Sequence, residues 1–79
     1  MTYIIRKQPH TQISQIAEKL KQLRIDSGFT SYEQFANHHD IDRKQYWRVE
    51  AGANITLESL IKILELHNLS LADFFKKLT

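Results

Sequence analysis

The residues whose chemistry is most informative lie in segment 42–51. The three charged residues between its flanking acids, Arg43, Lys44 and Arg48, are all positive, and the only tryptophan, Trp47, lies among them. Arginine and lysine are the usual partners of guanine edges and phosphate oxygens. An aromatic side chain can contact a thymine methyl group or a sugar. The segment therefore predicts a surface that binds nucleic acid.

The helical repeat of about 100° per residue separates two faces of this segment. Tyr46 and Val49 share the face that would point to a core. The outward residues are Lys44, Trp47, Arg48 and Ala51, with Arg43 at one flank. Two ordinary interpretations stay open: the basic residues form a solvated face, and Trp47 packs on a neighbouring helix.

Apolar residues at steps of three and four predict five helices. The expected ranges are 11–27, 30–39, 42–51, 56–67 and from Ser70 onward. The expected N-caps are Thr11, Thr30 or Ser31, Asp42 and Ser70. Thr30 and Glu33 also have the spacing of a capping box. Gly28, Gly52 and Asn68 are the expected helix stops.

These elements predict an all-α domain over residues 10–79, preceded by an N-terminal extension over residues 1–9. Tyr3-Ile4-Ile5 is the only β-favouring run, so the extension is expected to be an arm or a short strand. Helices two and three are separated by only three or four residues. This is the spacing of a helix-turn-helix, whose second helix enters the major groove of DNA.

The composition argues against several other classes of protein. The chain has no cysteine, which excludes disulfides, cysteine-ligated zinc and a thiol nucleophile. No two of its four histidines have the i, i+4 spacing of a helical zinc site, so neither a metal nor another cofactor is expected. The sequence contains no nucleophile elbow and no phosphate-binding loop, so an enzyme is not expected. It also has no apolar run long enough for a membrane span, and the default localisation is cytoplasmic.

The order of these elements resembles the repressor/Cro-type helix-turn-helix family, also called XRE-like, over Ile16 to Phe75. The matching stretches are Leu20-Lys21-Gln22-Leu23-Arg24, Gly28-Phe29-Thr30, Glu33-Gln34-Phe35-Ala36, Ile41 to Gly52, Thr56-Leu57-Glu58-Ser59-Leu60 and Leu69 to Phe75. The resemblance implies a five-helix lambda-repressor-like fold. Asp40 stands in the turn where the family usually has a small residue, often glycine. Aspartate tolerates the left-handed backbone that such a turn requires.

The resemblance also implies roles for particular residues. Arg24 and Glu50 match an arginine and a glutamate that form a structural ion pair. The family's base-reading positions match Arg43, Lys44 and Arg48 in the recognition helix, with Trp47 beside them as a further DNA-binding candidate. Its phosphate-contacting positions match Ser31 and Tyr32 at the start of helix two, and Asn54 and Thr56 in the loop after the recognition helix.

The functional expectation is a sequence-specific regulator of transcription that binds double-stranded DNA as a homodimer on a pseudo-palindromic operator. Phe74, Phe75 and Leu78 of helix five are expected first to be core residues. Because so small a body cannot cover all of them, part of that face is the expected dimer interface. An alternative is an antitoxin-like or adaptor protein that binds a toxin-like partner through residues 1–9. RNA binding is a weaker alternative, because the sequence indicates no aromatic-lined strand surface.

Overall fold

The computed structural model describes the backbone of residues 8–78 and the side chains of residues 12–78. This part of the chain forms five helices and no strand, which confirms the all-α prediction. The helices are α1 (Gln8–Asp26), α2 (Tyr32–His38), α3 (Arg43–Glu50), α4 (Leu57–Leu66) and α5 (Leu71–Leu78). No helix in the described range is long and apolar enough to cross a membrane.

The first helix begins earlier than the sequence pattern predicts. It starts at Gln8, so the prediction that Thr11 caps it is wrong. Pro9 is tolerated because the first-turn backbone N–H groups have no partner within the helix. Gln8 and Pro9, assigned to the extension, are therefore part of α1. The arm or strand predicted at Tyr3-Ile4-Ile5 lies outside the described residues.

Short polar side chains begin the other four helices. Ser31, Asp42, Thr56 and Ser70 each accept a hydrogen bond from a first-turn backbone N–H. The predicted Thr30–Glu33 capping box is wrong by one residue. Ser31 has the extended backbone of an N-cap, and the side chain of Gln34 reaches back to Thr30.

The first four helices end on a residue with a left-handed backbone. These residues are Gly28, Asp40, Gly52 and Asn68, with φ of 97°, 58°, 91° and 58°. At the end of α2, the N–H of Ile41 donates to the carbonyl of Ala36 over 2.8 Å, which closes a Schellman motif around Asp40. The expected left-handed turn at Asp40 is thus confirmed, and it leaves only four residues between α2 and α3.

One buried cluster joins all the helices. Its members are Leu20, Phe35, Ala36, Tyr46, Val49, Leu60, Ile63, Leu64 and Phe74. The rings of Phe35 in α2 and Tyr46 in α3 have centroids 4.9 Å apart. Tyr46 and Val49 therefore face the core, as the helical repeat predicts, and their burial fixes how α3 is rotated about its axis.

The last helix leaves part of its apolar face uncovered. Phe74 is fully buried, whereas Phe75 is 41% exposed and Leu78 is half-buried. On α4, Leu57 is 60% exposed, and it lines the same shallow groove as Phe75. An exposed apolar surface therefore extends across α4 and α5.

Candidate nucleic-acid interface

The outer face of α3 carries the side chains that the sequence singles out. Arg43, Lys44 and Arg48 are exposed, and Trp47 is 51% exposed. A tryptophan packed on a neighbouring helix would be far more covered, so that alternative is wrong in this structure. The four side chains form a basic surface with an aromatic group on it, which we call the α3 outer face.

The N-terminus of α3 is capped by an acidic side chain. Oδ1 of Asp42 accepts hydrogen bonds from the backbone N–H groups of Lys44, at 2.8 Å, and Gln45, at 3.3 Å. Carboxylates stabilise helix N-termini because they satisfy free donors and complement the helix dipole. The charge of Asp42 is therefore engaged by the helix that it begins.

A buried ion pair attaches the other end of α3 to α1. Nε and Nη2 of Arg24 donate to the two carboxylate oxygens of Glu50, each over 2.9 Å, and Nη1 donates to the carbonyl of Phe29 over 2.9 Å. The two side chains are 5% and 8% exposed. The hydrogen bond to Glu50 raises the pKa of Arg24 above its usual value, although burial opposes the shift. The contact predicted between these residues is confirmed.

Tyr46, expected from the sequence as a core residue, also adds a buried polar atom to this region. Its hydroxyl is fully buried and has no hydrogen-bond partner of standard geometry among the described residues. Burial first, and then the neighbouring Glu50, raises the pKa of the phenol well above its usual value. Tyr46 lies four residues before Glu50 in α3, so the i, i+4 spacing is a signal that could have placed the two together.

The start of α2 holds two further candidate residues, Ser31 and Tyr32, which are both half-buried. Oγ of Ser31 accepts from the N–H of Gln34 over 3.1 Å, and its hydroxyl proton remains able to donate to another group. Tyr32 packs against the core cluster. Both residues lie at the N-terminus of α2, at the opposite end of that helix from the turn that begins at His39.

The loop after α3 contains Asn54 and Thr56, and both are exposed. Oγ of Thr56 accepts from the N–H of Ser59 over 3.1 Å and donates to the Ser59 hydroxyl over 3.0 Å. The Thr56 hydroxyl is thus engaged in capping α4, whereas the Asn54 amide makes no hydrogen bond among the described residues. The side-chain amide of Asn54 is therefore a better donor to an external anion than the hydroxyl of Thr56.

The loop also borders a groove of about 640 Å³ between α3 and α4. Ile41, Ile55, Ile63 and Leu66 supply much of its lining, with Arg48 at its edge. The described residues include no group of three or more side chains arranged to hold a metal ion. The groove lies beside the α3 outer face and has a mixed lining, since polar side chains such as Gln45, Asn54 and Lys62 also border it.

The ends of α2 and α4 meet around one aromatic ring. The ring centroids of His39 and Phe35 lie 4.4 Å apart. His67 stacks on the same Phe35 ring, with ring centroids 5.3 Å apart and an angle of 11° between the ring planes. Nε2 of His67 is buried without a hydrogen-bond partner among the described residues. Burial lowers the pKa of both His39 and His67. The charge of a neighbouring histidine lowers each pKa further: His38 acts on His39, and His39 acts on His67.

We expect the fold to lose stability as the pH falls below about 6.5, the reference histidine pKa. The lowered pKa values of His39 and His67 mean that the unfolded chain binds more protons than the folded chain in this range. The stability that the two neutral histidines contribute to the fold is therefore fully present above pH 6.5 and is lost on acidification. Urea unfolding between pH 7.5 and pH 5 measures the effect. His67→Phe keeps an aromatic ring without a titrating group, so it should make the profile shallower while the contribution of His39 remains. Parallel profiles for the two proteins would contradict the role of His67.

The chain was compared with known protein families, with curated proteins and with solved structures, and none of these comparisons finds a match. The geometry of α2, α3 and the loop after α3 is therefore the basis for assigning a function.

Proposed function

We propose that this protein is a cytoplasmic regulator of transcription, not an enzyme, that binds double-stranded DNA in a sequence-specific manner. The observation that carries the proposal is the α3 outer face: three unburied cationic side chains and a half-exposed tryptophan on one helix. A merely solvated helix would usually carry charges of both signs on its outer side, as α1 does with Glu18, Lys19 and Lys21. Arginine and lysine read guanine edges and bind phosphates in the major groove.

The dimensions and support of α3 suit this role. An α-helix with its side chains is about 10–12 Å in diameter, which fits the major-groove width of about 12 Å. Two buried side chains, Tyr46 and Val49, and the Arg24–Glu50 ion pair hold its inner side. A reading helix must be fixed in this way, because base-edge hydrogen bonds tolerate little misplacement.

The individual roles follow from position and exposure. Lys44 and Arg48 would read base edges, Arg43 would bind a base or a phosphate, and Trp47 would contact a thymine methyl group or a sugar. The phosphate contacts would come from Ser31, Tyr32, Asn54 and Thr56. For Thr56 we assign the contact to its backbone N–H, because its hydroxyl is engaged by Ser59.

The proposed active form is a homodimer. A two-fold pair would place two copies of α3 about 34 Å apart, one turn of DNA, and would explain binding to a pseudo-palindromic site. The uncovered side chains of α4 and α5, Leu57 and Phe75, support an interface on that side of the molecule. An apolar surface of this kind is typical of a protein–protein contact.

The experiment that tests the proposal is selection of bound sequences from a random duplex library, followed by salt titration on the enriched sequence. The expected result is an inverted repeat with half-sites one helical turn apart, bound with an affinity that falls steeply with salt. No enrichment, with only weak salt-sensitive binding, would overturn sequence-specific recognition. That outcome would favour the antitoxin-like or adaptor alternative and a search for its protein partner.

A further inference from the structure

We propose that Glu33 limits binding to DNA of arbitrary sequence by competing with phosphate for Arg43. The inference rests on the proposed function and deepens it, because it assigns a specificity role to an acidic residue at the same surface. Nothing in the DNA-binding assignment itself requires this residue.

The geometry joins the two helices of the helix-turn-helix on their exposed side. Glu33 is the second residue of α2, and Arg43 is the first residue of α3. Nη1 of Arg43 lies 3.5 Å from Oε2 of Glu33, and the two side chains are 60% and 51% exposed. The pair therefore lies at the surface, at the N-terminal ends of both helices.

An exposed ion pair of this kind is weak enough to exchange partners. Solvent screening and side-chain entropy leave such pairs a small net stability. A DNA phosphate can therefore displace the Glu33 carboxylate from Arg43. The displaced carboxylate then lies close to the DNA backbone, where like charges repel. Binding through Arg43 is opposed twice, once by the lost pair and once by the repulsion.

The other charges near α3 do not act in this way. Asp42 is engaged as the N-cap, and Lys44 and Arg48 form no ion pair among the described residues. Glu33 thus restrains one of the three cations and leaves the other two free. A cost that fell equally on both complexes would leave their ratio unchanged, so the inference places Arg43 on a phosphate in the non-specific complex and on a base edge in the operator complex. The competition with phosphate then weakens mainly the non-specific complex, and Glu33 raises the ratio of specific to non-specific affinity.

The test compares the wild-type protein with Glu33→Gln on a random-sequence duplex and on the selected operator. We expect Glu33→Gln to bind the random duplex about fivefold more tightly at low salt, with a smaller gain on the operator. The slope of log affinity against log salt should steepen by up to about 0.9, the value for one further phosphate contact. Glu18→Gln is the matched control, because it removes one exposed negative charge from α1, outside the proposed DNA surface. It should raise both affinities slightly and equally, because it alters only the long-range repulsion of phosphates.

A double-mutant comparison assigns the effect to Arg43. In an Arg43→Ala background, Glu33→Gln should have little effect on the random duplex. An equal gain in both backgrounds would overturn the competition and leave only general repulsion. No gain in the wild-type background would overturn the inference while the proposed function stands. Failure of the wild-type protein to bind any duplex would overturn both, and this result is distinct from the others.

Discussion

Replacing Glu50 with alanine is expected to lower the free energy of unfolding by about 3–5 kcal/mol. The substitution leaves the guanidinium of Arg24, which is 4% exposed, without its carboxylate partner and without two of its three hydrogen bonds. The remaining bond to the carbonyl of Phe29 does not neutralise the charge. Because small domains are stable by only about 5–15 kcal/mol, a loss of this size is a large fraction of the total.

Urea and thermal unfolding of the Glu50→Ala protein measure this loss. Glu58→Ala is the matched control, since it breaks an ion pair whose side chains are 73% and 80% exposed, and it should cost less than about 1 kcal/mol. If Glu50→Ala does not fold, the double variant Arg24→Met/Glu50→Leu removes both charges together. It should recover much of the stability, because apolar residues of similar volume can replace a buried pair. Equal losses for Glu50→Ala and Glu58→Ala would contradict a structural role.

Most helix ends were predictable from single residues because local chemistry determines them. Asp42, Thr56 and Ser70 each cap a helix through a side chain that binds its own first turn. Gly28 and Asp40 end helices because a left-handed backbone is easiest for glycine and is tolerated by aspartate. At the start of α2, Thr30 and its neighbour Ser31 both satisfy the capping rule, and the sequence alone does not decide between them. At α1 the predicted start is too late, because the helix already includes Gln8 and Pro9 ahead of Thr11.

Contacts between helices were harder to predict, because no local spacing rule describes them. Arg24 and Glu50 are 26 positions apart, and the sequence linked them only through family resemblance. The stacking of His67 on Phe35 and the pairing of Glu33 with Arg43 had no such guide. Both depend on how one helix end lies against another, which burial in the shared core determines.

The α3 outer face was predictable in part, more than the contacts between helices and less than the helix ends. Its composition and periodicity follow from the sequence, and the buried positions of Tyr46 and Val49 fix its direction. The sequence therefore predicted that Trp47 would be exposed. Whether the face contacts bases depends on a partner, which neither the sequence nor the fold contains. That question needs a binding measurement on a single side chain.

Arg48→Ala is expected to weaken binding to the selected operator by about 1–3 kcal/mol, or roughly 5- to 150-fold. Arg48 is exposed on the last turn of α3 and forms no ion pair among the described residues. The substitution should therefore change the free energy of unfolding by less than about 0.5 kcal/mol. Affinity for the operator and for a random duplex, measured beside a thermal melt, separates the two effects.

The matched control is Lys21→Ala, which removes one exposed positive charge from α1, outside the proposed surface. It should weaken binding to both duplexes slightly and equally, because it alters only the long-range attraction to phosphates. A base-reading Arg48 instead loses affinity mainly for the operator and relaxes the preference at one base pair of each half-site. Equal losses on both duplexes would identify Arg48 as a phosphate contact, and a large drop in melting temperature would identify it as structural. Arg48→Lys refines the assignment: lysine keeps the charge but not the planar fork, so it should retain phosphate binding and lose bidentate recognition of guanine.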